Sequence, residues 1–243
     1  AAVAAAKRCL AYWHDDVDHD AGACSDWINP VPDAGPYDML DVLGALFDPD
    51  SFLALRAPFA PSVIAGFARL GGRSVGVLAT NPACDEGVID DLGAQKICRQ
   101  VELCDAWRLP LIVLIDTLGT STRWVTKDRS AISQPGLSRM HVRCIVAHQS
   151  RRVPLLSVQL RHGRGLAPSL LTGYSTGASV PVIALSWHSV ELNRADGFAL
   201  VRDPNAFDDV IEPAETRQRL MRLLHLLPKP RAPEAKHRSV DPW

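Results

Sequence analysis

The stretch SVIAGFARLGGRSVGVLAT, residues 62–80, decides the fold of this chain. It contains two apolar runs separated by Gly71 and Gly72, and glycine suits a tight turn because it adopts positive φ without steric cost. The pattern predicts a β-hairpin with strands at 63–70 and 75–80. Nearly every position in the two runs is apolar, which is typical of strands buried on both faces.

Apolar runs continue after the hairpin and alternate with segments of helical period. Further buried strands are predicted at 112–116, 155–160 and 182–185. The predicted helices lie at 3–13, 38–47, 90–107, 137–149, 165–173 and 213–227. Buried strands that alternate with helices indicate an α/β fold in which helices cover the sheet. The order also permits the ββα spiral of the crotonase class, although the pattern alone does not separate that spiral from other doubly wound folds.

The net charge, the apolar runs and the cysteine spacing of the chain limit which partners and which cellular compartment we expect. The chain has 243 residues and a formal net charge of -1, so charge gives no general case for binding nucleic acid or an anionic membrane. No apolar run has the length of a membrane span. The Ala-rich start resembles an amphipathic helix more than a signal peptide. The six cysteines form no CxxC pair and no zinc spacing, so we expect a reduced, cytoplasmic protein without a bound metal.

The domain organisation follows from shifts in composition. Residues 1–35 are predicted to be a linker helix followed by an acidic, Pro-rich loop; residues 36–228 are predicted to be the globular domain; and residues 229–243 form a basic tail. The acidic loop includes HDDVDHD, residues 14–20, which has metal-ligand residue types. A solvated loop is the favoured interpretation, because no framework fixes a coordination geometry there.

Several longer segments resemble one known family, and they occur in the family's order. They are PYDMLDVLGALFDPDSFLAL (36–55), FAPSVIAGFARLGGRSVGVLATNP (59–82), GVIDDLGAQKICRQVELCDAWRLPLIVLIDTLG (87–119) and VPLLSVQLRHGRGLAPSLL (153–171). They resemble the C-terminal half of the carboxyltransferase β subunit of biotin-dependent acyl-CoA carboxylases of the propionyl- and acetyl-CoA type, in the crotonase superfamily. The opening AAKRCLAYW is similar to the helix that joins the two halves of that subunit, and residues 207–227 are similar to its closing helix.

This resemblance implies a carboxyltransferase component that moves carboxylate from carboxybiotin to an acyl-CoA. In the family, the N-terminal half holds acyl-CoA, the C-terminal half receives carboxybiotin from a biotin carrier protein, and the site lies between them. The implied partners are therefore acyl-CoA, the carrier, and either a separate N-terminal-half subunit or a second copy of this chain. We expect a single half of this two-half arrangement, with the acyl-CoA half supplied separately.

The resemblance also implies an oxyanion hole at the strand-to-helix turn RHGRGLAPS, residues 161–169. In the family, two backbone amides at this turn point at the biotin oxygen, and the matching amides here belong to Leu166 and Ala167. Gly165 keeps the first glycine of the family's pair, whereas Leu166 replaces the second. Two interpretations are open: an oxyanion hole that fits its ligand differently, and a strand-to-helix turn that no longer binds a ligand.

Four further residues match substrate-binding positions of the family. Phe59, Ala60 and Pro61 match the wall near the biotin pocket, and Ser169 matches a position that helps to choose the acyl chain. Packing alone would also explain the first three, and an exposed helix serine would explain the fourth.

Other features depart from the family or lie outside its site. Leu118 stands where proline is usual, the loop at 120–136 does not match, and the covering segment that follows Leu192 in the family is shortened. These departures keep two alternatives open: a biotin-independent acyl-thioester decarboxylase, and a degenerate, non-catalytic partner of a carboxylase. The histidines that qualify as acid–base groups, none with an evident carboxylate partner, are His141, His148 and His162.

Overall fold

The computed structural model describes residues 2–14, 30–120, 134–173, 180–189 and 207–227. Six α-helices lie at α1 Ala2–His14, α2 Met39–Leu46, α3 Asp91–Trp107, α4 Gln134–Ser150, α5 Ala167–Thr172 and α6 Thr216–Leu226. The strands are β1 Leu53–Leu55, β2 Val63–Leu70, β3 Arg73–Thr80, β4 Leu111–Thr117, β5 Leu155–Gly163, β6 Val182–Trp187 and β7 Asp209–Ile211. They form one sheet in sequential order, antiparallel from β1 to β3 and parallel from β3 to β7.

The predicted hairpin turn is held from outside by a carboxylate. Gly71 and Gly72 have φ of 60° and 78°, so the turn needs residues that tolerate the left-handed region. The Asp48 carboxylate accepts the N–H groups of Gly71 and Gly72 at 2.9 and 2.8 Å, and it also pairs with Arg217 of α6 at 2.6 Å. Burial raises the pKa of Asp48, but the bonds from Gly72, Arg217 and Gly71 outweigh it, so the pKa is lowered overall. The turn is thus fastened to the closing helix.

The sheet separates two apolar layers. One face packs against α2 and α6, where Met39, Leu43 and Leu220 are fully buried. The other face packs against α3, α4 and α5, with Ile97, Cys144 and Leu170 in the core. Strand residues alternate between the two layers, as a pleated sheet requires. Both faces are covered, which explains why the central strands read as continuous apolar runs.

Helix α1 packs on the second layer through aromatic rings. The Tyr12 ring stacks on Phe67 at a centroid distance of 5.7 Å, Phe67 stacks on Trp107 at 4.9 Å, and Trp13 stacks on Trp107 at 6.0 Å. The Tyr12 hydroxyl donates to the Ser51 carbonyl. Such pairs contribute about 0.5–1.5 kcal/mol each beyond the area that they bury.

All five predicted core strands are confirmed, and four of them extend beyond the predicted bounds. Helix α4 begins three residues before the predicted start, and α5 begins at Ala167 because Gly165 takes a left-handed conformation. The apolar pattern did not predict β1, which is three residues long and half-exposed at the sheet edge. Residues 15–29 of the predicted acidic loop and the basic tail lie outside the described residues, whereas residues 30–35 of that loop are described. Within the described ranges, no helix has the length and apolar character needed to cross a bilayer.

Gly76 of β3 provides a test of core packing. A β-carbon there would collide with the Cys104 sulfur and lie 3.2 Å from Leu111 Cδ1. We expect Gly76→Ala to lower the free energy of unfolding by about 1–3 kcal/mol through overpacking. In a Cys104→Ala background, the same change should cost less, which urea denaturation measures. Gly44→Ala on open helix surface is the control and should be neutral or stabilise by up to about 1 kcal/mol. Equal costs of Gly76→Ala in both backgrounds would contradict the packing argument.

Candidate functional site

The carboxyl ends of three neighbouring strands bring polar residues to one edge of the sheet. Strand β3 ends at Thr80 and is followed by Asn81, β4 ends with Asp116 and Thr117, and β5 ends with Gly163. Ligands of open α/β sheets bind at the carboxyl ends of the strands. This edge is therefore the place to look for a site.

The Asp116 carboxylate is the centre of this edge, and its side chain is only 2% exposed. Arg161 Nε donates to Asp116 Oδ2 at 2.8 Å, and the backbone N–H of His162 donates to Oδ1 at 3.1 Å. His162 Nδ1 lies 3.0 Å from the same Oδ1. Arg161 Nη1 also donates to the carbonyls of Pro32 and Gly35, both at 3.0 Å. The buried charge is thus paired and multiply hydrogen-bonded, as burial demands.

The sequence offered no carboxylate partner for His162, and the structure supplies one in Asp116. The two residues are 46 positions apart, but each lies at the end of a buried strand, and the strands are neighbours. A carboxylate that faces Nδ1 orients the imidazole and favours the proton on that nitrogen. His162 is a quarter exposed, so it combines a fixed orientation with access to solvent.

The segment before α2 packs against the ion pair of Asp116 and Arg161. The Arg161 guanidinium lies over the Tyr37 ring at 4.8 Å from its centroid, a cation–π contact. Burial and then the Asp116 carboxylate raise the pKa of Tyr37, so the phenol stays protonated. Asn81 Oδ1 accepts the N–H of Met39 at 3.1 Å, and Asn81 Nδ2 donates to the N-cap residue Asp38 at 3.1 Å. Asn81 therefore joins the end of β3 to the start of α2.

The turn predicted to form an oxyanion hole lies directly after β5. Arg164 N donates to the Thr117 carbonyl at 3.2 Å. Gly165 has φ of 60°, and no atom of the described residues lies within 4 Å of the position that a β-carbon would take. Leu166 caps α5 with φ of -87° and ψ of -5°, at the edge of the right-handed helical region and with a negative φ that does not require glycine. Ala167 opens α5, where first-turn N–H groups have no acceptor inside the helix. The first backbone donors of α5 therefore follow directly after Gly165 at the carboxyl end of β5.

Helix α4 holds α5 in place through His148. Its Nε2 lies 3.1 Å from the Leu170 carbonyl, and the side chain is 3% exposed. Gly173 ends α5 with φ of 71°, and a β-carbon there would lie 2.5 Å from the His148 Cβ. Burial and then the charge of Arg151 lower the pKa of His148 to about 4. His148 is thus a neutral supporting residue and not the acid–base group that the sequence allowed.

A buried lysine supports the predicted substrate-binding segment Phe59, Ala60 and Pro61. Lys96 of α3 is 3% exposed, and its Nζ donates to the Phe59 carbonyl at 2.7 Å and to the Ala60 carbonyl at 3.4 Å. Ala60 has φ of 45°, an unfavourable region for alanine that outside contacts must maintain. Burial and then Arg56 lower the pKa of Lys96 to about 8. Pattern reasoning missed Lys96, although its place on the inner face of an amphipathic helix was a signal.

Helix α3 connects the two predicted parts of the site. It reaches the Phe59 segment through Lys96 and packs against α5, which carries Ala167 and Ser169. Ser169 is half-buried and accepts the N–H of Gly173 through its carbonyl at 2.9 Å. His141 lies half-buried on α4, where burial lowers its pKa.

Three features singled out in the sequence lie largely outside the described residues. Residues 15–20 of the HDDVDHD segment, the loop at 121–133 and the region after Leu192 up to residue 206 fall outside the described residues. In the described ranges, no cluster of three or more His, Cys, Asp or Glu side chains has the arrangement of a metal site.

Comparison with known proteins shows which family and which proteins this chain is similar to. A family model described as "Carboxyl transferase domain" matches residues 5–188. The carboxyltransferase subunit of propionyl-CoA carboxylase from Haloferax mediterranei is 28% identical over 246 aligned positions, which cover 86% of this chain and 46% of that protein.

Solved structures show the same fold. Transcarboxylase 12S with hydrolysed methylmalonyl-CoA bound superposes with a TM-score of 0.72 at 25% identity, over 88% of this chain and 45% of that one. A single-chain, multi-domain long-chain acyl-CoA carboxylase gives a TM-score of 0.74 at 24% identity, over 91% of this chain and 25% of that one. The crotonase-class fold is thereby confirmed. The chain spans about half or less of the length of these proteins.

The support from Lys96 can be measured as stability. Lys96→Met removes the donor and leaves the Phe59 and Ala60 carbonyls without their charged partner. We expect the free energy of unfolding to fall by about 1–3 kcal/mol in urea denaturation, the usual cost of unsatisfied buried groups. Lys7→Met on the exposed face of α1 is the matched control and should change little. Equal effects of the two changes would refute the role of Lys96.

The low pKa of His148 predicts how stability depends on pH. Its folded pKa is about 4 and the reference value is 6.5, so the unfolded chain binds the proton first as pH falls. Stability should therefore drop between pH 6.5 and pH 4, by up to about 3 kcal/mol at about 1.4 kcal/mol per unit.

Replacing this histidine tests that assignment. His148→Gln keeps an N–H donor for the Leu170 carbonyl but does not titrate, so denaturation midpoints should depend less on pH. His225→Gln, on the exposed face of α6, is the control and should keep the wild-type dependence. An unchanged pH dependence in His148→Gln would show that another group is responsible.

Proposed function

Because the chain belongs to the carboxyl transferase domain family, we propose that it forms the carboxybiotin-side half of an acyl-CoA carboxyltransferase. The observation that carries this proposal is the turn at Gly165, Leu166 and Ala167, which places the first backbone N–H donors of α5 directly after β5 at the carboxyl edge of the sheet. The resemblance found in the sequence assigns the oxyanion hole to the same turn. In this role the chain supplies position and hydrogen-bond donors, and no side chain acts as a nucleophile.

The turn suits a biotin ring by the chemistry of its donors. The ureido oxygen of biotin is a hydrogen-bond acceptor, and the N–H groups of Leu166 and Ala167 are donors without an acceptor in their own helix. When bound, carboxybiotin supplies the carboxylate that is transferred. The amides of this turn hold an oxygen that gains negative charge, and their fixed placement avoids reorganisation during the reaction.

The surrounding residues keep this arrangement rigid. Asp116 and Arg161 fix the ends of β4 and β5 from which the turn departs. His148 holds the far end of α5 through the Leu170 carbonyl. We assign the wall of the biotin pocket to Phe59, Ala60 and Pro61, supported by Lys96, and a contact with the acyl chain to Ser169.

A complementary half is part of this proposal. The chain covers 45% of transcarboxylase 12S, whose structure is described as a hexamer assembly. Helix α4 exposes Val142 and Val146, one turn apart, at 61% and 56%. Exposed apolar side chains at helical spacing support a partner surface on this helix. We propose that an acyl-CoA-side half covers it, and a second copy of this chain is the competing occupant.

One observation favours a second candidate function. His162 is oriented by Asp116 at the strand end beside the turn. A decarboxylase that acts on a malonyl-type thioester must deliver a proton to the α-carbon after CO2 leaves, and an oriented histidine is suited to that task. This alternative needs no biotin. The replacement of the family's second glycine by Leu166 also leaves a non-catalytic partner role open.

The transfer reaction can be followed in reverse, with malonyl-CoA or methylmalonyl-CoA and free biotin. We expect no appreciable turnover by the chain alone, and biotin-dependent formation of acetyl-CoA or propionyl-CoA once an acyl-CoA-side half is co-expressed. Ala167→Pro should then reduce the rate on the order of 100-fold, because one oxyanion donor is lost. Ala167→Gly keeps the N–H and serves as the control, and circular dichroism checks the fold of both.

The possible outcomes separate the candidates. Full biotin-dependent turnover by the chain alone, or a stable monomer in light scattering when the other half is present, would contradict the two-half proposal. Release of CO2 without biotin would select the decarboxylase. No formation of acetyl-CoA or propionyl-CoA, with or without biotin, would select the non-catalytic role. Unchanged turnover in a folded Ala167→Pro variant would exclude the amide assignment.

A further inference from the structure

Two buried cysteines face each other between the helices that cover the sheet. Cys98 lies on α3 and Cys144 on α4, with exposures of 2% and 0%. Their sulfur atoms are 2.6 Å apart. The Cys144 thiol also lies 3.3 Å from the Ala94 carbonyl of α3, one helical turn before Cys98, which directs it toward that helix. The two side chains therefore meet within the core and not at the surface.

We propose that Cys98 and Cys144 are a covalent modification site, at which a low-molecular-weight disulfide converts the two thiols into an intramolecular disulfide bond between α3 and α4. The inference does not depend on the proposed function. Helix packing already holds the sulfurs in contact, so the pair reacts as near neighbours and bond formation requires little movement of the backbone.

The exchange is balanced in two steps. One cysteine loses its proton, and its thiolate attacks a sulfur of the small disulfide; this forms a mixed disulfide and releases one small thiolate. The second cysteine, also deprotonated, then attacks the protein sulfur of the mixed disulfide and releases the second small thiolate. Two protein thiols are oxidised, one small disulfide is reduced to two thiols, and the released thiolates take up the two protons.

The surroundings make this reaction selective and slow. The hydrogen bond with Cys98 and burial raise the pKa of Cys144, so its thiolate is scarce in the closed structure and exchange proceeds through local opening. Cys104, also on α3, instead lies 3.4 Å from Gln100 Nε2. Among the cysteines in the described part of the chain, Cys98 and Cys144 are the pair with sulfurs in contact.

The bond would join the two helices that support the candidate site. Helix α3 carries Lys96, which holds the carbonyls of Phe59 and Ala60. Helix α4 carries His148, which holds Leu170 of α5. A covalent tie between α3 and α4 therefore limits relative movement of both supports. Oxidation is expected to stabilise the site region against local opening.

The experiment equilibrates the reduced chain in a glutathione redox buffer with sub-denaturing urea, which permits local opening without unfolding. Remaining thiols are alkylated, and the digested chain is mapped by mass spectrometry. We expect the Cys98–Cys144 peptide pair to be the dominant cross-link and to disappear on reduction. Because the bond closes a loop of more than 40 residues, the melting temperature of the oxidised chain should rise on the order of 10 °C.

Three controls make the result decisive. Cys98→Ala and Cys144→Ala should each abolish the cross-link and the rise in melting temperature, whereas Cys104→Ala should retain both. The mapping on the wild-type chain stands even if a variant fails to fold. Separate alkylation of both thiols after equilibration, or a distribution of pairs no different from that of the urea-unfolded chain, would overturn the proposal. An oxidised chain with an unchanged melting temperature would contradict the claim that the bond stabilises the packing of α3 against α4.

Discussion

The buried Asp116 carboxylate is the constraint on which the arrangement of the sheet edge depends. An isolated buried charge is costly, so the folded chain must bring donors to it. Arg161 and His162 provide them from the next strand, and Arg161 extends the link to the carbonyls that precede α2. Thr80 adds bonds from β3 to the backbone of Asp116. Asp116 thereby joins the ends of three strands, β3 through its backbone and β5 through its carboxylate. The turn after β5 departs from this joined edge.

Local pattern predicted the strands well because burial on both faces leaves a continuous apolar run, which needs no knowledge of the partner strand. It also predicted the hairpin, because only a few residues suit the conformation of Gly71 and Gly72. The contacts that shape the site could not be found in this way. Asp116 and His162 are 46 residues apart, and Lys96 reaches 37 residues back to Phe59. Periodicity reports which face a residue occupies, but not which distant residue it meets.

The two glycines of the family's pair meet different physical requirements, and this chain keeps the first glycine but not the second. Gly165 satisfies a conformational requirement, because φ of 60° is unfavourable for residues with a β-carbon. Leu166 has a negative φ that does not require glycine, so the replaced glycine was not needed for the backbone. We therefore expect the family's second glycine to provide space for a ligand. The change from glycine to leucine at 166 therefore bears on fit and not on the path of the chain, and the fold alone does not decide between an active and an inactive site.

The two predicted parts of the site share their support in α3 and in the helices packed on it. Helix α3 carries Lys96 and Cys98 two residues apart and therefore on different sides of the helix, with Lys96 directed at the Phe59 segment and Cys98 at α4. Helix α4 continues the chain of contacts through His148 to α5. A shift of α3 relative to α4 would thus move the wall segment and the amide turn with respect to each other. The packing between these helices therefore acts together with the Asp116 bonds at the sheet edge to set the spacing between the Phe59 segment and the turn at Gly165.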